Sequence, residues 1–233
     1  MRDRDSINEL FSIVKNEISN IGLPMADSAM DYIKENLGKD YDIYLRRRLS
    51  VCRTLISLYL PVPKKRLDIL LTTSLLNYMP DDPVPPAQDD MLKKYMDMEP
   101  AIEKLLSFLT QVTYKDRSYY ENLINNPEAL IIRLAERSVL VEKLYEWHPI
   151  DALRFVRETR ESFFPMCLYA KEHYPEYLGA ASVLHEKMRN LTAVNDALLS
   201  QFLEIEYAIG DETLSIREEN AAIRAMIKEL EEQ

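Results

Sequence analysis

The run LDILLTTSLLNYMPDD, Leu67 to Asp82, sets Asn77 and Tyr78 at the end of an apolar stretch and two carboxylates, Asp81 and Asp82, just beyond it. An amide and a phenol placed there do one of two things. They satisfy backbone groups and pack where a buried helix closes, or they line a pocket and hold a nucleotide by hydrogen bonding and stacking. Upstream, Arg46, Arg47 and Arg48 form one basic turn, and Lys64, Lys65 and Arg66 form a basic helix start; runs of like charge are ordinarily solvated. None of the histidines, His148, His173 and His185, has a partner at the i,i+4 spacing of a helical metal site. Cys52 and Cys167 lie inside apolar helical patterns without metal-like spacing. They read as buried free thiols in a reducing compartment. No phosphate loop, dinucleotide fingerprint or nucleophile elbow occurs, and 4 glycines are too few to build them.

Those residues need elements to position them, and the pattern is helical throughout. Ser6 and Glu9 form a capping box, followed by Ile7, Leu10, Phe11, Val14 and Ile18 at helical spacing. Gly22 and Pro24 end that helix, and Asp27 is expected to cap the next, which stops near Gly38. A third helix covers 43–59. The fourth, 67–79, is apolar on nearly every side and should be central. Residues 80–90 hold four prolines within seven positions and form a loop. Short helices are expected at 90–98, 100–113 and 117–125. Pro127 opens a long amphipathic helix reaching Trp147, and Pro149 and Asp151 open another, which Pro165 should kink or divide. A long helix runs from Pro175 to about Tyr207. After Gly210 and Asp211 a charged final helix carries a narrow apolar stripe of Leu214, Ala221, Met226, Ile227 and Leu230. The fold class expected is all-α.

The net charge of -10 argues against a nucleic-acid binder, since a phosphate backbone demands a basic face. No apolar run is long enough to span a bilayer, and the charged N-terminus is unlike a signal peptide. A cytoplasmic location without a membrane partner is the expectation.

The segments YLRRRLSVCRTLISLYLP, LDILLTTSLLNYMPDD, ALIIRLAERSVLVEKLYEW and RETRESFFPM follow one another over residues 40–172. In this order they resemble the HD-superfamily hydrolase domain of the RelA/SpoT-type alarmone enzymes, whose Leu-Ala-Asp-Arg helix is echoed by LIIRLAER. The resemblance implies an HD-like helical bundle over 1–175 with a C-terminal helical extension over 176–233, packing on it or on a partner. It implies a family activity, the release of pyrophosphate from guanosine tetra- and pentaphosphate with manganese in the stringent response. A divalent ion does this by polarising a phosphate oxygen and acidifying a bound water.

The family's metal ligands transfer poorly. Its early His falls at Arg47, its His-Asp pair at Asn77 and Tyr78, and its last Asp at Glu136; the acidic pair that positions the attacking water is matched by Asp81 and Asp82. An Asn one turn further falls at Leu140. Arginine has no lone pair to give a metal. The resemblance therefore implies a degenerate site with no cofactor, in which Arg47 would pair with Glu136, Asp81 or Asp82 in place of the ion. Arg47, Asn77, Tyr78, Glu136 and Arg137 become candidate contacts for a guanine nucleotide or another phosphorylated small molecule. Two alternatives stand beside this regulatory or interaction module. One is a divergent phosphohydrolase that holds manganese through Asp81, Asp82 and Glu136, and the other is a helical module forming a homo-oligomer through its C-terminal helix.

Overall fold

The computed structural model describes residues 2–36, 42–77, 99–110 and 117–201. Every regular element among them is helical. The expected helices at 90–98 and 212–233, the proline loop, and Tyr78, Asp81 and Asp82 lie outside these residues.

Helix α1 (Arg2–Ile21) buries Ile7, Phe11, Val14 and Ile18, the stripe expected from their spacing. It begins earlier than the Ser6 capping box, and the Ser6 hydroxyl instead accepts a hydrogen bond from Arg46. Gly22 ends α1 at φ 74°, with Gly22 N–H bonded to the Ser19 carbonyl and Leu23 N–H to the Ile18 carbonyl. That pair of bonds is a Schellman cap, which requires the left-handed backbone glycine adopts freely. A Cβ at Gly22 would also lie 2.8 Å from Lys64 Nζ.

Helix α2 (Pro24–Asn36) does not take its cap from Asp27. Asp27 sits inside the first turn, pairing with Lys15 at 3.0 Å and accepting from Ser19. The free N–H groups of Met25 and Ala26 go to the buried carboxylate of Asp68, at 3.2 and 2.8 Å. Proline can start a helix at its own position, and a carboxylate from another helix meets the orphan donors and the positive end of the dipole.

Asp68 belongs to α4 (Lys64–Leu76), which follows α3 (Asp42–Ser57) across the turn at Pro61 and Pro63. Residues 70–76 of α4 are buried, and the helix packs on α2, α3, α5 (Pro100–Thr110) and α7 (Pro127–Val141). Its basic start is not simply solvated. Arg66 is half-buried, bonds Glu128 on α7 and Glu176, and lies over the Tyr177 ring.

Helix α6 (Arg117–Ile124) leads into α7, whose cap Asn126 accepts from Ala129 N–H at 3.0 Å. Here the expectation of a long amphipathic helix gives way. Helix α7 stops at Val141, before a 3-10 turn at Leu144–Glu146, and every residue from Ala129 to Val141 is buried. Together α4 and α7 form the centre of the bundle. Helix α8 (Pro149–Glu158) continues through a π-helical turn, Thr159–Phe163, into α9 (Phe164–His173). Pro165 therefore deforms the helix without dividing it. It has no N–H for the carbonyl four residues back, and the widened turn before it removes the steric conflict. A 3-10 turn at Pro175–Tyr177 leads into α10, residues 178–201. No described helix is long and apolar enough to cross a membrane.

Cys52 and Cys167 are both buried and free, and burial pushes each thiol up to about 12. Thiolate is the reactive form. Both should therefore stay silent toward Ellman's reagent at pH 8 in the native protein and react fully in urea. Rapid labelling of either thiol without denaturant would contradict this packing.

Candidate functional site

Glu136 lies on α7 with its side chain 6 % exposed. One carboxylate oxygen accepts from Asn77 Nδ2 at 2.5 Å, and the other from Arg133 Nη1 at 2.6 Å. Asn77 is the residue on which α4 ends, held there by its N–H to the Thr73 carbonyl. Arg133 stands three residues before Glu136, so helical geometry alone brings the two together. Its other terminal nitrogen donates to the Leu109 carbonyl at the end of α5. The group thus joins three helices around one buried ion pair. Burial works against the Arg133 charge, but the Glu136 carboxylate more than offsets it and its pKa is raised. Burial pushes the Tyr119 phenol, beneath the same guanidinium, up to about 12. The Asn77 Oδ1 atom is buried without a hydrogen-bond partner.

The positive charge that meets Glu136 is that of Arg133, where the sequence pointed to Arg47. Arg47 is half-buried on α3, toward the end of α7, where with Arg46 it helps burial lower the pKa of Lys143. Arg48 is the buried member of the basic turn and donates to the Leu75 carbonyl at 3.4 Å.

Arg137, one turn beyond Arg133, is enclosed separately. Its Nε donates to Thr159 Oγ1 at 2.8 Å, Nη1 to Glu158 at 3.0 Å and Nη2 to the Phe155 carbonyl at 2.7 Å. The Phe155 and Phe163 rings lie 3.3 and 4.3 Å from the guanidinium carbon. Burial pushes its pKa down to about 10, against the pull of Glu158. The guanidinium grips the turn where the helix widens, and Phe155 O, freed there, becomes its acceptor. Of the candidates, the structure brings Asn77 and Glu136 together, sets Arg137 in a different cluster, and leaves Arg47 outside both.

No protein-family model, curated protein or solved structure matches this chain.

Manganese does not fit the described residues at the positions the resemblance implies. Glu136 already gives both oxygens to protein donors, Arg47 has no lone pair to offer, and Asn77 is a neutral amide. Among the described residues no three His, Cys, Asp or Glu side chains cluster as a metal site. His173 stacks on Tyr169, His185 lies 3.0 Å from Lys171 Nζ, and His148 precedes α8 without capping it. Sequence reasoning missed Arg133 and Asp68. For Arg133 the signal was present, a cation three residues before a carboxylate in an otherwise apolar run.

Proposed function

We propose that this chain is a non-catalytic, HD-like regulatory module of the cytoplasm, related to the guanosine tetra- and pentaphosphate hydrolases and working by binding. The supporting observation is the state of Glu136. At the one ligand position where a carboxylate survives, both oxygens are committed to Arg133 and Asn77. A buried carboxylate needs a counter-charge, and an internal arginine supplies one permanently where a hydrolase would use its ion. The resemblance makes guanine nucleotides the first ligands to test.

Isothermal titration with manganese, and thermal shift with guanosine tetraphosphate with and without it, test the reading directly. Pyrophosphate release is followed in the same samples. The expected result is no stoichiometric manganese binding and no release, with any nucleotide shift independent of the metal. Manganese-dependent pyrophosphate release would overturn the reading in favour of a phosphohydrolase using Asp81, Asp82 and Glu136.

A further inference from the structure

Helix α10 presents two different faces. Ala181, Leu184, Met188, Asn195 and Leu199 are buried against the bundle. On the other side Val183, Val194 and Leu198 are 57, 58 and 56 % exposed. Between the valines stand Glu186 and Arg189, also exposed and paired along the helix at 2.7 Å. Isolated exposed apolar residues are ordinary, but a line of them on one helix face is the form a partner helix meets.

The order along this face is self-complementary. Val183 and Val194 are equidistant from a point between Met188 and Arg189, and so are Gly179 and Leu198. We infer that α10 packs antiparallel against α10 of a second copy, on a two-fold axis crossing that point. Val183 of each copy then meets Val194 of the other. Leu198 meets Gly179, where an added Cβ would find no atom within 4 Å and the surface is open. Glu186 of each copy comes within a turn of Arg189 of the other, so opposite charges face across the axis at both crossings. A two-fold interface uses one patch twice and must be self-complementary in this way. A foreign helix, or the 212–233 segment folding back, would need no such symmetry. The pairing does not depend on the non-catalytic reading of the Glu136 site.

One helix face is smaller than a standard interface, so dissociation is expected in the micromolar range, visible by sedimentation between roughly 1 and 100 µM of the full chain. Val194→Glu should weaken the dimer at least about tenfold without moving the urea midpoint of the monomer. Glu186→Arg and Arg189→Glu should each weaken self-association. Mixed in equal amounts, those two variants should form heterodimers, because all-positive then faces all-negative. Each lacks the intrahelical pair, so recovery on mixing reports contact across the axis alone. A monomer at every concentration, a dimer indifferent to these substitutions, or no recovery on mixing would overturn the pairing. So would a monomeric chain whose urea midpoint falls on Val194→Glu, since its own segments would then cover the face.

Discussion

Arg133→Ala should cost about 3–5 kcal/mol, the range for stripping one partner from a buried ion pair. In a chain of this size that corresponds to a fall in Tm on the order of 10 °C. Both side chains of the pair are 6 % exposed, so water cannot take over the lost interaction. The truncation leaves Glu136 with the Asn77 amide as its remaining donor and deprives the Leu109 carbonyl of the Arg133 fork. Urea denaturation at pH 7 measures the loss. Most of it is the cost of a buried, unpaired carboxylate, so Glu136→Gln placed in the Arg133→Ala background should recover a large part. Replacing both residues by Met should be close to neutral, since a well-packed apolar pair is often as stable as the ions it replaces. A loss under about 1 kcal/mol for Arg133→Ala would place the pair among weak surface contacts and would remove the physical basis for calling the site internally neutralised.

That pair also shows where the sequence was readable. Local signals translate directly. The Ile7, Phe11, Val14, Ile18 spacing became a buried stripe, Gly22 became a Schellman cap, and Pro127 opened α7. The all-α architecture follows from such signals repeated along the chain. What failed were inferences that treat charge as a mark of solvent. Arg133, Glu136 and Arg137 made α7 look amphipathic, yet they are buried because they satisfy one another and partners on α4, α5 and α8. The contact between Asn77 and Glu136 spans 59 residues, and the cap that Asp68 gives Ala26 spans 42. No local pattern encodes such pairings. The expectation that Glu136 needs a fixed cation was chemically sound, but carrying over the position of a metal ligand pointed to Arg47 when the nearer solution lay one helical turn away. Asp27 illustrates the same limit: a capping residue type near a helix start was taken as the cap, while the buried carboxylate of α4 holds the backbone donors.

Arg137→Ala should cost about 3 kcal/mol, combining hydrogen bonds to a charged group with desolvated cation–π contacts. The figure is set below that for Arg133 because Glu158 remains 26 % exposed and can be rehydrated. Arg137→Lys should recover only part of the loss. An ammonium keeps the charge but cannot reach Thr159, Glu158 and the Phe155 carbonyl together while lying flat between two rings. The location of the damage separates this clamp from generic core packing. Removing it should accelerate amide exchange in the π turn, residues 159–163, and in the start of α9 more than in α3 or α4, because that turn lacks the regular ladder on either side. Exchange that rises evenly over the molecule, or not at all at the turn, would sink the clamp. Arg133 and Arg137 share a helix but, in their hydrogen bonds described above, no partner. Their losses should therefore add to within about 0.5 kcal/mol in the double variant. A coupling well above that would mean that α7 transmits strain between the Glu136 group and the π turn, making the two clusters one cooperative unit.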